Sequence, residues 1–302
     1  MAVTEPAESG LQSSLVAGNR TRKRSRSRRW AFVGILPFAA YVSIFLLIPA
    51  GELVVGAFRT SSGAWTLANI RDIFHAPYPA AFEFSLELSA LSAAIGGVAG
   101  LLVANAFLHH GMPRWVRSAY ISFSGMAANF AGVPLAFAYE ATLGSLGVVT
   151  TLFKHLGIHI YPSFSLQGLV GASIVYAYFQ FPLMILLMVP VIEGLRTEWR
   201  EAASNLGASS FTFWRYVGMP VIMPSLLGLV MLLFGNAFSA YATAEALGVS
   251  NLVTIDIAEL VDGNMVLNPQ DAYALATGMI VIIVVAISLY ALLQRRTSRW
   301  LR

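Results

Sequence analysis

The sequence contains no cysteine and few charged residues. The lack of cysteine excludes disulfides and thiolate-based metal or redox sites. Only 11% of the 302 residues are charged and 57% are hydrophobic, whereas a soluble domain carries about a quarter charged residues. A chain of this composition would expose too much hydrocarbon to water. The composition therefore predicts a protein that crosses a membrane several times.

The sequence also lacks the motifs of nucleotide binding and of hydrolytic chemistry. It has no Gly-x4-Gly-Lys-Ser/Thr loop, so it does not bind ATP by that route. It has no His-Glu-x-x-His cluster or evident nucleophile–base pair, which argues against a membrane-embedded enzyme. Four histidines near the ends of spans have no carboxylate partners at metal-ligand spacing; they are His109, His110, His155 and His159. We therefore predict no metal site.

Six apolar runs are each about 20 residues or longer, enough to cross roughly 30 Å of hydrocarbon as a helix. They are Trp30–Phe58, Leu88–Leu108, Val116–Tyr139, Leu166–Ile192, Val221–Ala244 and Tyr273–Leu293. Only helices are plausible, because lipid offers no partner for an unpaired backbone group. The predicted fold class is all-α, a polytopic membrane protein with six transmembrane helices.

The positive charges predict the orientation of these helices. Sixteen of the 19 Lys and Arg residues lie at 20–29, at 114–117, at 196–215 and after 293, all on one side of the predicted membrane. By the positive-inside rule, this side and both termini are cytoplasmic. The predicted regions are a disordered basic N-terminus (1–29), a transmembrane domain (30–294) containing a cytoplasmic loop (194–221), and a cytoplasmic tail (295–302). The basic N-terminus acts as a topology signal or binds anionic lipid headgroups.

The cytoplasmic loop is predicted to form two short helices joined by a turn. Thr197 is suited to cap a helix over residues 198–206, and Gly207 stands where a left-handed cap residue is wanted. Ser209 or Ser210 then starts a second helix, which Met-Pro at 219–220 ends. The aromatic residues that can anchor this elbow are Phe211, Phe213 and Trp214. The alternative is an ordinary amphipathic helix at the membrane interface.

The spacing in this loop resembles the EAA loop of permease subunits from binding-protein-dependent ABC importers. The family pattern is Glu-Ala-Ala, three residues, Gly, nine residues, Ile, one residue, Leu-Pro. The matching residues here are Glu201, Ala202, Ala203, Gly207, Val217, Met219 and Pro220, with Val for Ile and Met for Leu. The resemblance covers the chain from about residue 30 to its end. It implies the bundle of a type I ABC importer permease (MetI-like).

The resemblance also implies partners and a mechanism. The loop would be a coupling helix that docks on a cytoplasmic ATPase, and closure of two ATP-binding subunits would switch the pathway between inward- and outward-facing states. The chain itself would bind no cofactor, because ATP and Mg are used by the ATPase. Further partners would be a second permease subunit (a related one, giving a heterodimer), an extracytoplasmic substrate-binding protein and membrane lipid, but no nucleic acid. The chain would lie in the inner membrane of a bacterium.

The substrate is less clearly indicated. Polar residues in or near the spans are candidates for the pathway. They are Glu83, Glu87, Asn129, Glu140, Gln180 and Asn236. The three carboxylates favour a cationic or zwitterionic substrate such as a polyamine, and the layout is similar to the spermidine/putrescine-type branch. Alternatively, the carboxylates lie in the headgroup zone and contact water or a neighbouring helix, and the amides join helices.

Other readings of the transport function remain open from the sequence. Importers of aminoethylphosphonate, iron, thiamine, sulfate and molybdate share the same motif. The outer loop 245–272 is acidic, and either docks a basic protein surface or merely follows the charge bias. A stand-alone secondary transporter would need a mid-membrane ion site or inverted repeats, and the sequence shows neither.

Overall fold

The computed structural model describes residues 35–109, 113–261 and 269–297, and the regular structure in these ranges is helical. The all-helical prediction is thus confirmed. The chain divides into two compact units, up to Val55 and from Gly56 onward, which are described separately. The predicted N-terminal region 1–29 lies outside the described residues, as does the tail beyond residue 297.

Six helical segments among the described residues are long and apolar enough to cross a membrane, as predicted. They are Ile35–Ala57, Tyr78–Ala106, Val133–His155, Leu169–Glu193, Ser210–Phe238 and Gln270–Gln294. The first of these is α1, which holds a π-helical turn at Ser43–Leu47. The part of α1 up to Val55 contains no buried residue.

The remaining helices belong to the second unit and are numbered along the chain. They are α2 (Ala68–Asp72), α3 (Tyr78–His109), α4 (Arg114–Asn129), α5 (Val133–Leu143), α6 (Val148–His155), α7 (Leu169–Glu193), α8 (Thr197–Asn205), α9 (Ser210–Phe238), α10 (Ala242–Leu247), α11 (Val253–Val261) and α12 (Pro269–Thr297). Helix α7 lies at the centre and packs against α3, α4 and α9.

The prediction of one continuous third span at 116–139 is wrong. The chain breaks between α4 and α5 at residues 130–132, where Gly132 adopts φ 73°. Pro134 in the first turn of α5 has no backbone N–H to continue an earlier helix. The left-handed glycine and the proline together explain why two helices replace one.

The close contact of α3 with α7 depends on two glycines one helical turn apart. A Cβ added to Gly96 would lie 2.5 Å from the Cβ of Gln180, and one added to Gly100 would lie 2.5 Å from the Cβ of Met184. This small-xxx-small spacing lets two helix backbones approach closely inside a membrane. The hydrophobic core that includes Met184 and Met188 contains residues of both helices.

Candidate functional site

The predicted elbow is present as α8, a turn at Gly207 and the beginning of α9. No residue of α8 is buried. Glu201 and Ala202 are exposed and Ala203 is half-buried, so this face of α8 is open to a partner. The predicted Thr197 cap is wrong: Arg196 is the N-cap residue and makes no side-chain cap hydrogen bond, while Thr197 is the first residue of the helix.

The turn after α8 has the geometry predicted for Gly207. Its φ is 75°, in the left-handed region that favours glycine. The Gly207 N–H donates to the Ser204 carbonyl at 2.9 Å, and the Ala208 N–H donates to the Ala203 carbonyl at 3.0 Å. This pair of bonds is a Schellman motif, which satisfies the last carbonyls of α8 and fixes the direction of the chain.

The second arm of the elbow begins at a serine cap. The Ser209 hydroxyl accepts a hydrogen bond from the Thr212 N–H at 3.2 Å, as the sequence predicts. Phe213 is buried and holds the arm against the bundle, whereas Phe211 is 73% exposed. The Arg200 guanidinium lies 6.0 Å from the centre of the Phe213 ring and links the two arms.

The prediction that Met-Pro at 219–220 ends the second helix is wrong. A π-helical turn at Trp214–Gly218 leads directly into the long span, and Pro220 falls in the first turn of the α-helical segment that follows. Val217 is half-buried within the π turn and Pro220 is exposed. The elbow is therefore continuous with α9 from Ser210 to Phe238, so a displacement of the elbow acts directly on a membrane-spanning helix.

Apolar side chains on the outside of the elbow add to its open surface. Leu206 is 88% exposed and Tyr216 is 70% exposed. At the base of the elbow, Arg117 of α4 forms an ion pair with Glu193 at the end of α7. An exposed elbow of mixed polar and apolar character on a braced base can dock a protein and pass on its movement.

Two of the predicted pathway residues make hydrogen bonds to other parts of the chain. Gln180 is fully buried, and its side-chain amide donates to the Leu233 carbonyl at 2.7 Å, which joins α7 to α9. The Glu140 carboxylate accepts a hydrogen bond from the Gln167 side chain at 3.0 Å, and the same amide donates to the Leu247 carbonyl at 3.1 Å. These contacts favour the alternative in which Gln180 joins helices and Glu140 contacts a neighbouring part of the fold.

The other four candidates are exposed in this protomer. Glu83 and Glu87 lie on α3, Asn129 ends α4, and Asn236 lies in the last turns of α9. The Asn129 side chain donates to the Gly125 carbonyl within its own helix at 2.8 Å. Only the two glutamates share a helix.

A linked pair of helix breaks was not predicted. The Gly132 N–H, at the break between α4 and α5, donates to the Thr243 hydroxyl of α10 at 2.7 Å. The Tyr176 hydroxyl of α7 donates to the Ala240 carbonyl, between α9 and α10, at 3.2 Å. Asn129 and Asn236 flank these breaks. A Gly-x-Pro sequence at 132–134 is the local signal that could have located the first break.

The acidic outer loop is only partly described, because Asp262 lies outside the described residues. Burial and the neighbouring Glu259 carboxylate raise the pKa of Asp256 to about 6. Among the described residues, no three His, Asp or Glu side chains are grouped to hold a metal ion. The absence of a metal site stays a prediction.

Comparison with known families and proteins finds a matching family and similar permeases. The family model for the binding-protein-dependent transport system inner membrane component matches residues 12–299. The chain is 26% identical over 235 residues to the probable sulfate transport system permease protein cysT of Nephroselmis olivacea, covering 76% of this chain and 77% of that protein. It is 25% identical over 229 residues to the thiamine transport system permease protein ThiP of Salmonella typhimurium, covering 76% of this chain and 40% of that protein.

The fold also matches a solved structure. A bacterial ABC transporter involved in the import of the acidic polysaccharide alginate has a chain with a TM-score of 0.70 and 19% identity, covering 90% of this chain and 98% of that one. At this identity the likeness is one of fold alone. It confirms the predicted type I ABC importer permease (MetI-like) bundle.

Proposed function

Because the chain belongs to the family of binding-protein-dependent transport system inner membrane components and is a permease subunit of an ABC importer, we propose that its elbow is where partner ATPases act on it. It is a transport subunit and not itself an enzyme. The observation that carries the proposal is α8, which has no buried residue and carries the Glu201-Ala-Ala-x3-Gly207 motif beside a left-handed turn.

The proposed mechanism passes movement from the elbow into the bundle. Closure of two ATP-binding subunits displaces α8, and α9 moves with it because the elbow continues into that span. Helix α7 follows, since the Gln180 amide is bonded to the Leu233 carbonyl of α9. With a second permease subunit responding in the same way, the pathway between them alternates between its two openings.

The first test separates the effect of the backbone conformation at Gly207 from the effect of the charge at Glu201. Gly207→Val forces a β-branched residue to φ 75° at a cost of about 1–2 kcal/mol, and should lower ATP-driven uptake at least tenfold. The matched control is Gly207→Asn, because asparagine tolerates this conformation, and it should keep most of the uptake. Glu201→Arg, which leaves the turn intact and reverses an exposed charge, should also abolish uptake.

The measurement is solute uptake by cells that carry the whole transporter, together with the amount of each variant in the membrane. Equal membrane levels with lost uptake support a coupling role. Wild-type uptake by both Gly207→Val and Glu201→Arg would remove that role from the elbow.

The proposed cargo is a small polar solute delivered by a binding protein. The names of the two relatives, a sulfate and a thiamine permease, support an oxyanion or thiamine. A polyamine is supported only by Glu83 and Glu87, which are exposed one turn apart on α3. Aminoethylphosphonate and iron remain alternatives from the shared motif.

The second test addresses the cargo. A thermal-shift screen of the associated binding protein over sulfate, molybdate, thiamine, phosphonates, iron and polyamines identifies the solute directly. If it is a cation, Glu83→Gln with Glu87→Gln should raise the KM for uptake several-fold, because two exposed carboxylates no longer attract it. If it is an anion, the double variant should leave the KM unchanged or lower it.

A further inference from the structure

A cavity of about 310 Å³ lies at the base of the elbow, between the end of α7, the beginning of α8 and the π turn of α9. Its apolar lining includes Ile192, Leu195 and Trp214. Its polar groups include Glu193, Arg196 and Arg200. An open cavity with a charged lining thus lies at the base of the elbow, where α7 ends.

The lining of this cavity has more positive than negative charge. The Glu193 carboxylate is engaged by Arg117, so that pair contributes little net charge. Within the described ranges, no carboxylate lies within ion-pair distance of Arg196 or Arg200. Arg196 precedes α8 and Arg200 lies in its first turn, and both line the cavity, whereas Glu198 is not among the lining residues. The cavity therefore carries two uncompensated positive charges.

Each of the two guanidinium groups also lies near an aromatic ring. Arg196 lies over the Trp199 ring at 5.9 Å, and Arg200 lies over the Phe213 ring at 6.0 Å. The planar fork of an arginine suits the oxygens of a phosphate. Two arginines that line one cavity therefore fit a phosphate group.

We propose that this cavity binds the phosphate group of an anionic membrane phospholipid. The lipid used to test this proposal is phosphatidylglycerol. A lipid is favoured over a protein because the cavity is lined by Ile192, Leu195 and Trp214 at the end of a span, where acyl chains and an interfacial tryptophan meet. The proposal rests on the proposed function only in placing the elbow at the cytoplasmic membrane surface. A bound lipid would brace the base of the elbow against the bundle.

The test uses the purified, delipidated full chain and native mass spectrometry. Wild-type protein should retain phosphatidylglycerol in preference to phosphatidylcholine, which is neutral overall. Arg196→Gln with Arg200→Gln should reduce that preference by about fivefold for each arginine. Arg215→Gln is the matched control, because Arg215 is also exposed and lies beside a ring (Tyr216, 5.8 Å) but is not among the lining residues. It should keep the preference.

Other outcomes overturn the proposal. No lipid preference in the wild-type chain, or an equal loss in the Arg215 control, would do so. Displacement of the lipid by millimolar inorganic phosphate would assign the cavity to a soluble anion instead. Unchanged lipid binding by the double variant, with loss of its complex with a co-expressed ATPase, would assign the arginines to a protein interface.

One further measurement keeps the test decisive. If the glutamine double variant does not fold, the wild-type preference should still fall as salt is raised, and a salt-independent preference contradicts a charge-driven site. Lipid binding by the isolated chain needs no ATPase. Its failure therefore leaves the coupling role untouched, and failure of the Gly207 and Glu201 test leaves the lipid site untouched.

Discussion

At the scale of single residues, polar side chains in the spans lie in two different environments. Gln180 stands near the middle of α7, fully buried, and its amide bonds the backbone of α9. Asn236 stands near the end of α9 with its side chain exposed. In a membrane both types of residue look alike in sequence, because both interrupt an apolar run. Their burial separates a helix-joining role from a place on a surface that solute or a second subunit can reach.

The matched pair Gln180→Leu and Asn236→Leu tests this distinction. Loss of the bond to Leu233 should lower the stability of the purified chain by about 1 kcal/mol and leave the KM for uptake unchanged. Asn236→Leu should leave thermal stability unchanged and alter uptake. A raised KM in the Gln180 variant, with wild-type thermal stability, would instead place that amide in contact with the solute.

At the scale of helices, the sequence predicts the features whose causes are local. Gly207 is predicted correctly because a glycine after an amphipathic helix is sufficient to mark a left-handed cap. The break at 130–132 is missed because the apolar composition outweighs its local Gly-x-Pro signal, and its contact from the Gly132 N–H to Thr243, 111 positions away, is not readable from the sequence. The continuation of α9 through Pro220 is missed for another reason: a π turn shifts the hydrogen-bonding pattern just before the proline, and apolar composition does not reveal it.

The same limit applies to the candidate site. The EAA spacing locates the elbow, but burial of Gln180 and the Gln167 bond to Glu140 depend on how distant helices pack. The glycine spacing at positions 96 and 100 was a readable signal for close packing of helices, yet only the structure identifies α7 as the helix it contacts.

The contact between α3 and α7 gives a prediction at this scale. Gly100→Ala should lower the stability of the chain by at least 1–2 kcal/mol, roughly the cost of overpacking, because its Cβ would lie 2.5 Å from the Cβ of Met184. Gly125→Ala is the control, since nothing lies within 4 Å of an added Cβ there. Thermal unfolding of the two purified variants measures the difference. Equal midpoints would contradict the tight crossing.

At the scale of the whole molecule, the function depends on which side of the membrane the elbow faces. The charge distribution predicts the cytoplasmic side for the elbow and for both termini. An elbow on this side can bind ATPases, and Arg196 and Arg200 can bind the anionic lipids proposed for the cavity. The opposite side would leave the break-flanking residues and the acidic loop 245–272 facing the cytoplasm, away from a binding protein. Every part of the proposed mechanism is therefore consistent with an elbow on the cytoplasmic side.

Single cysteines can test this orientation without background, because the native sequence has none. Ser204 lies exposed on α8, and Ser61 lies exposed in the turn after α1, on the side opposite the predicted cytoplasmic face. With an impermeant maleimide, Ser61→Cys should label in intact spheroplasts and Ser204→Cys only after the membrane is permeabilised. Both variants should support uptake before labelling, which confirms their insertion. The reverse labelling pattern would place the elbow outside, beyond the reach of ATP-driven subunits, and would contradict the coupling mechanism.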